Sequence, residues 1–287
     1  MANESAGRLY VVATPIGNLA DISGRAVSVL RSVSLIACED TRRTGRLLAH
    51  VGVSPPGLVA LHDHNERDVA EAVLTRLEAA EDVALVSDAG TPLVSDPGFV
   101  LVREAWSRGL DVVPVPGASA ITSAVSISPI PTGRFRFEGF LPSKATARDT
   151  VLGRLLTADV AVVFLESPRR IRATLAAIEA HGGGMRDILL CRELTKLHES
   201  ATLGVVSEFV AEPDRVREQG EYICVLAPGS APEPDSAANL LRALLTELAP
   251  ARAARVAAHI TGRPRSELYA VAMALAGKHR PTDDRSG

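Results

Sequence analysis

The densest group of ionisable side chains in the sequence is His62-Asp63-His64, which directly follows the apolar run GLVAL. Imidazole and carboxylate groups can accept a proton near neutral pH. The group is therefore a candidate for general-base chemistry or for hydrogen bonding to a substrate. A metal site would need a further ligand that the sequence does not identify, and we expect no metal ion here.

A second group, Glu39-Asp40, follows the apolar run LIAC and is itself followed by Arg42 and Arg43. Asp40 is suited to cap the next helix, because its carboxylate can accept hydrogen bonds from the first free N–H groups. Alternatively, two acids beside two arginines can form a site with shifted pKa values. Both interpretations stay open at this point.

Small residues mark the other loops in which chemistry can take place. Asp88-Ala89-Gly90-Thr91 follows the apolar run DVALVS, and Ser95-Asp96-Pro97-Gly98 comes soon after it. Alanine and glycine let the backbone approach a ligand closely. Turns rich in Gly and Pro at 13–21 and 114–120 follow two further apolar runs. In open α/β sheets, ligands bind beyond the carboxyl ends of the strands, which is where all these loops fall.

The elements that position these loops are short apolar strands alternating with amphipathic helices, a pattern that predicts a parallel sheet in an α/β lobe over 8–115. The expected strands are 8–14, 34–38, 57–61, 82–87 and 111–116, and the expected helices are 25–33, 42–52, 65–80 and 96–109.

A second α/β series is predicted over 116–229, with Phe135 and Phe137 on the core face of a strand RFRFEGF. Its expected strands are 134–140, 161–167, 187–194 and 220–229, and its expected helices are 121–128, 146–157, 169–183 and the segment VVSEFVAE. After a Pro/Ser linker, three short helices at 237–248, 250–260 and 264–276 predict a helix-turn-helix-like appendage over 237–277.

Composition excludes several classes of function. The formal net charge of −3 excludes a globally basic coat for nucleic acid, and six Phe, three Tyr and one Trp are too few for an extended base-stacking surface. The three cysteines form no CxxC pair and lie in apolar runs, so we expect small buried side chains. With no signal peptide or membrane-spanning stretch in the sequence, we expect a cytoplasmic protein.

Basic residues are concentrated in the second half despite the negative total. The segment 134–172 has eight basic and four acidic residues, and 231–287 has eight basic and six acidic residues. Arginines of this kind can contact RNA phosphates, although a solvated helix face explains most single arginines equally well. For the appendage, RNA contact competes with packing or dimerisation.

Read together, the loops resemble the tetrapyrrole methylase superfamily of S-adenosylmethionine-dependent methyltransferases. The resemblance covers about 8–229 and is strongest to the branch that methylates the ribose 2′-oxygen of a 16S rRNA cytidine in the decoding centre. The motifs that carry it, in chain order, are TPIGNLADIS, ACEDTRRTGRLL, ALHDHNE, LVSDAGTPLVSDPG, VPGASA, FEGFLP and CRELTKLHE.

The resemblance implies two α/β lobes, a parallel-sheet N-terminal lobe and a mixed-sheet C-terminal lobe, with a small helical appendage. It also implies a homodimer that acts on 16S rRNA, within the assembled 30S subunit, and no membrane contact. The positions that match the superfamily's cofactor contacts are Ile16, Asp88, Ala89, Gly90, Thr91, Val94, Ser119, Ala120, Glu166 and Leu194.

A ribose hydroxyl is a poor nucleophile, so a positioned base or a cation beside the developing alkoxide would help the reaction. The candidates for that work are Glu39, Asp40, His62, Asp63, His64 and Lys196, of which Asp40 and the 62–64 group rank highest. Two alternatives stay open: methylation of a tetrapyrrole or of a modified histidine on the same scaffold, and a non-catalytic nucleic-acid-binding protein. The first loop, TPIGN, departs from the GxGPGD-like loop of the tetrapyrrole enzymes and argues against a porphyrin substrate.

Overall fold

The computed structural model describes residues 6–54, 57–62, 65–229 and 234–277. The chain divides into two compact units, Met1–Gly229 and Ser230–Gly287. Asp63 and His64 lie outside the described residues. No helix in the described part of the chain is both long enough and apolar enough to cross a membrane.

The first five strands form a parallel sheet, as the alternation of strands and helices predicts. Their order in the sheet is β3-β2-β4-β1-β5. The strands are β1 (Leu9–Val12), β2 (Leu35–Cys38), β3 (Leu58–Ala60), β4 (Val83–Val86) and β5 (Val112–Val115). The helices between them are α1 (Gly24–Ser32), α2 (Thr41–His50), α3 (Glu66–Glu78) and α4 (Phe99–Ser107). Every residue of β4 is buried, because this strand has neighbours on both sides and helices on both faces.

The second sheet is mixed, in the order β6-β7-β10-β8-β9. Only β6 and β7 pair in parallel, and the other pairs are antiparallel. The strands are β6 (Phe135–Phe140), β7 (Ala161–Glu166), β8 (Asp187–Arg192), β9 (Ser200–Val205) and β10 (Tyr222–Leu226). The helices are α5 (Ala120–Ser126), α6 (Ala145–Leu155), α7 (Ile171–Ile178) and α8 (Val206–Ala211).

Two expectations for this lobe were wrong. The strand β9 was not predicted, because SATLGV has no apolar run: it is an edge strand whose residues are exposed or half-buried. Phe135 is 39% exposed rather than core-facing, whereas Phe137 packs against the core as expected. Phe135 is the first residue of β6, an edge strand, and the register shift between β6 and β7 comes only after Phe137.

The C-terminal unit contains α9 (Pro234–Leu245), α10 (Pro250–Thr261) and α11 (Arg265–Gly277), close to the three helices expected. Helix α10 begins at Pro250 and ends before Gly262, whose φ is +68°. Ala253, Ala254 and Ala257 pack with Leu241 and Leu268 in a small core of its own. The three cysteines, Cys38, Cys191 and Cys224, are buried and free, which confirms the expectation of small buried side chains.

Candidate functional site

The loops that follow β1, β4 and β5 are joined to one another at the carboxyl edge of the first sheet. Thr14 and Gly90 exchange backbone hydrogen bonds of 2.8 and 3.0 Å. The Thr91 hydroxyl donates to the Ala118 carbonyl at 3.3 Å. Because β4, β1 and β5 are neighbours in the sheet, the small-residue loops at 13–21, 88–92 and 114–120 form one continuous wall.

The first loop also contacts the second lobe directly. The Asn18 amide donates to the Thr195 hydroxyl at 3.1 Å. A Cβ built on Gly17 would lie 2.3 Å from Cγ of Lys196 and 2.8 Å from Oγ1 of Thr195. The glycine is therefore needed for this close approach between the lobes, rather than for a turn.

Between these surfaces lies a cleft that encloses about 1000 Å³ of empty space, its open mouth included. All the residues matched to cofactor contacts line it except Asp88. Those that line it are Ile16, Ala89, Gly90, Thr91, Val94, Ser119, Ala120, Glu166 and Leu194. Further lining comes from Ser95, Asp96, Ile121, Phe137, Phe140, Leu165, Cys191, Glu193, Lys196, Glu221, Tyr222 and Ile223.

Asp88 does not line the cleft but stabilises its wall through contacts with Asp40 and Arg43. One of its carboxylate oxygens accepts the Asp40 amide at 3.0 Å, and the other lies 3.1 Å from the Arg43 guanidinium. Asp88 therefore links the ends of β2 and β4 and the first turn of α2.

Glu166 lines the cleft, but its side chain is 0% exposed and its carboxylate is fully engaged. The carboxylate accepts the Thr174 hydroxyl at 2.7 Å and the Ser167 amide at 2.7 Å, and lies 2.6 Å from Arg170. Any contact from Glu166 to a ligand must come from its main chain. The sequence suggested a binding residue, and the structure adds a buried polar junction between β7 and α7.

Lys196 lies in the cleft between two carboxylates, Glu193 at 2.9 Å and Glu221 at 2.8 Å. Burial alone would lower the pKa of Lys196, but the hydrogen bonds to Glu221 and Glu193 outweigh it and the pKa is raised. Lys196 is therefore a cation at neutral pH, suited to orienting or charge stabilisation and not to accepting a proton.

Asp96 is an acidic residue of the cleft that is not among the catalytic candidates predicted from the sequence. Burial, then the charge of Glu39, raises its pKa to about 6, against a hydrogen bond with Ser87 that lowers it. Within the described chain, no arginine, lysine or histidine is close enough to form an ion pair with it. The turn Ser95-Asp96-Pro97-Gly98 was recognised from sequence, but the absence of a counter-charge depends on the fold.

Asp40 has the structural role that the sequence left open. Its carboxylate accepts the Arg42 amide at 2.8 Å and pairs with the Arg42 guanidinium at 3.1 Å. These hydrogen bonds lower the pKa of Asp40 to about 2. Asp40 caps α2, does not line the cleft, and is a weak base.

Of the 62–64 group, the structure describes only His62. Its amide donates to the Asn65 side chain at 2.9 Å, and the Asn65 amide group donates to the Ala60 carbonyl at 2.9 Å. His62 does not line the cleft. In the described part of the chain, no cluster of three or more His, Cys, Asp or Glu side chains is arranged to hold a metal ion.

The backbone on both sides of the cleft is strained. Leu93 and Ser95 have φ values of +70° and +71°, and Glu193 and Thr195 have φ values of +53° and +69°. Such conformations cost about 1–3 kcal/mol each and persist where the surrounding structure imposes them. Ser95 and Glu193, one from each loop, also line the cleft.

The family comparisons cover nearly the whole chain. Residues 8–210 match the family model of the tetrapyrrole (corrin/porphyrin) methylases. Residues 230–276 match the model of the RsmI C-terminal HTH domain.

Relatives named ribosomal RNA small subunit methyltransferase I match at high identity. The protein of Xylella fastidiosa strain Temecula1 is 48% identical over 92% of this chain and 98% of its own length. That of Pseudomonas aeruginosa is 46% identical over 96% and 99%, and that of Escherichia coli O157:H7 is 44% identical over 96% and 98%.

Solved structures support the fold. The native uroporphyrin III C-methyl transferase of Thermus thermophilus superposes with a TM-score of 0.56, at 17% identity, over 77% of this chain and 97% of its own. The structure of that enzyme complexed with S-adenyl homocysteine gives a TM-score of 0.54, at 18% identity and the same coverage. The chain belongs to the tetrapyrrole methylase family and, within it, to the ribosomal RNA small subunit methyltransferase I family.

Proposed function

We propose that this protein transfers a methyl group from S-adenosylmethionine to the ribose 2′-hydroxyl of a cytidine in the decoding centre of 16S rRNA. The observation that carries the proposal is the similarity, over more than nine-tenths of the chain, to relatives named for the small-subunit ribosomal RNA. On this proposal the enzyme works in the cytoplasm, as a homodimer, on the assembled 30S subunit.

The residues that line the cleft suit S-adenosylmethionine in their chemistry. Apolar walls from Ile16, Val94 and Leu165 suit an adenine ring, and main-chain groups of the 88–92 loop suit polar ends. Gly90 has a φ of +83°, and a Cβ built on it would lie 3.3 Å from Cγ2 of Ile16. A side chain at position 90 would strain the backbone and would occupy space next to Ile16 in the cleft.

When bound, S-adenosylmethionine supplies a methyl group on a positively charged sulfur. That charge is lost during transfer, so anions pressed against the sulfur would stabilise the ground state more than the transition state. Glu166 is paired with Arg170, and Glu193 and Glu221 share Lys196, so each of these three carboxylates has a cation beside it whereas Asp96 has none among the described residues. The residues of the loops at 89–96 and 193–196 orient the reactants and exclude water.

Methyl incorporation tests this function. Tritiated S-adenosylmethionine would be incubated with the protein and 30S particles, naked 16S RNA or a porphyrin precursor. We expect label in 30S particles and at most weak label in naked RNA, since the decoding centre is folded only in the particle. Label in the porphyrin, or in no RNA fraction, would contradict the proposal.

The position of the methyl group can be read separately. A 2′-O-methyl ribose removes the hydroxyl that attacks the neighbouring phosphate in alkali, so the labelled nucleotide should survive in an alkali-resistant dinucleotide. Label recovered in alkali-sensitive mononucleotides would instead indicate base methylation.

A further inference from the structure

The cleft contains four carboxylates, and three of them have a cation. Glu166 pairs with Arg170, and Glu193 and Glu221 share Lys196. Asp96 is the exception among the described residues: it lines the same cleft and forms no ion pair. A carboxylate with a cation beside it is a poorer proton acceptor than one without.

The groups around Asp96 maintain this difference. Glu39 at the end of β2 and Asp88 at the end of β4 repel its negative charge, and the nearby cation Arg43 is engaged by Asp88. Lys196, across the cleft, is held by its two glutamates, and Arg42 by Asp40. Burial acts in the same direction as Glu39 and Asp88, so the pKa of Asp96 rises to about 6. At neutral pH the group is then mostly ionised and still able to take a proton.

The loop geometry keeps Asp96 in the cleft. Ser95 before it has a φ of +71°, and Gly98 after it has a φ of +123°. A Cβ built on Gly98 would lie 2.8 Å from Leu85, and Glu66 accepts the amides of Gly98 and Val100 at 2.9 and 2.8 Å. The turn is therefore fixed to α3 and to the core on one side, with Asp96 facing the cavity on the other.

We propose that the Asp96 carboxylate is the general base of the methyl transfer and accepts the proton of the ribose 2′-hydroxyl; this assignment rests on the proposed function. The O–H bond breaks and its proton passes to the carboxylate. The oxygen forms a bond to the methyl carbon while the carbon–sulfur bond breaks, and its electron pair stays on the sulfur as S-adenosylhomocysteine forms. Asp96 then releases the proton to water.

Asp96→Asn tests the assignment, with Asp111→Asn as a matched control at the opposite end of the first sheet. Single-turnover methylation of 30S particles and binding of S-adenosylhomocysteine would be measured for both variants. We expect Asp96→Asn to lower the methylation rate by about 100-fold or more with little change in Kd, because general bases contribute about 100- to 10000-fold. The control should match the parent protein in both measurements.

Three results would overturn the proposal. Near-normal turnover in Asp96→Asn would exclude the role, as would a large rise in its Kd, which would indicate a cofactor-binding residue. Loss of turnover in Asp63→Ala or His64→Ala, with turnover kept in Asp96→Asn, would place the base in the 62–64 group instead. Failure of the proposed function itself would be seen separately, as no RNA methylation by the parent protein.

A second variant keeps the proposal falsifiable if Asp96→Asn does not fold. Glu39→Gln removes a negative charge that acts on Asp96, so the acid limb of the single-turnover pH–rate profile should move to lower pH by about half a unit or more. A profile whose acid limb is unmoved in Glu39→Gln would contradict the assignment, since a residue with a merely structural role would give no such shift.

Discussion

Asp40 and Asp96 show how the surroundings of one residue type decide its role. Asp40 lies just after β2, and Asp96 lies in the loop that follows β4. Asp40 is neutralised by Arg42, which lowers its pKa to about 2, whereas burial and Glu39 raise the pKa of Asp96 to about 6. The sequence shows the arginine next to Asp40 but not the glutamate that approaches Asp96 from another strand.

The raised pKa of Asp96 has a consequence for stability. Below about pH 3.8 the carboxyl group is neutral in the folded and unfolded states. As the pH rises from there to about 6, the unfolded state ionises while the folded state stays protonated, so the folded state loses stability, and this penalty is complete above about pH 6. Asp96→Asn should therefore increase the free energy of unfolding at pH 7.5 by about 1–2 kcal/mol, after allowance for solvent screening.

The gain should shrink at pH 5, where the folded-state carboxyl group is mostly protonated. Urea unfolding at the two pH values measures it, with Asp111→Asn as the control variant. Equal stabilisation at both pH values would mean that Asp96 has an ordinary pKa. A more stable and less active variant would identify Asp96 as a position where stability is lower because the residue serves catalysis.

Among the elements, the loops at strand ends could be predicted because apolar runs fix where each strand stops. Their meeting in one cleft follows from the strand order, which places β4, β1 and β5 side by side. The edge strand β9 and the exposed Phe135 of the edge strand β6 could not be predicted, because a strand at the edge of a sheet can be paired without being buried. The carboxylate pairs of Lys196 likewise depend on how β8 and β10 align.

A substitution at Gly17 tests whether the contact between the first loop and the 194–196 loop shapes the cleft. Gly17→Ala would place a methyl group within 2.3 Å of Lys196 and 3.2 Å of the Leu194 carbonyl. Relief of such overlap costs about 1–3 kcal/mol, and the loop that carries Ile16 must move. We expect the Kd for S-adenosylhomocysteine to rise about tenfold or more.

Gly24→Ala is the matched control, because a Cβ on Gly24 meets nothing within 4 Å. Calorimetry should show parent-like binding for this variant, and thermal unfolding should show no loss of stability. Unchanged binding in Gly17→Ala would mean that the second lobe can withdraw from the first loop without affecting the cleft.

At the scale of the whole molecule, four of the eight basic residues in the segment 134–172 are engaged by other groups of the fold. Arg134, Arg136 and Arg170 pair with acidic residues, and Arg172 donates to the Val216 carbonyl. In the C-terminal unit the arginines Arg252 and Arg255 are exposed on α10, at positions i and i+3 of one face with His259 at i+7. The sequence could not separate RNA contact from packing for this unit, and we expect α10 to contribute to RNA contact.

Replacing both arginines of α10 by alanine should weaken binding to 30S particles and leave cofactor binding unchanged, because every described residue that lines the cleft belongs to the other compact unit. Each phosphate contact that is lost should reduce the slope of log K against log salt concentration by about one. The control is Arg25→Ala with Arg31→Ala, which removes the same charge from exposed positions of α1. A filter-binding titration at several salt concentrations measures both effects. If the slope does not change and sedimentation instead shows a dissociated protein, then α10 holds copies of the chain together and the RNA is bound elsewhere.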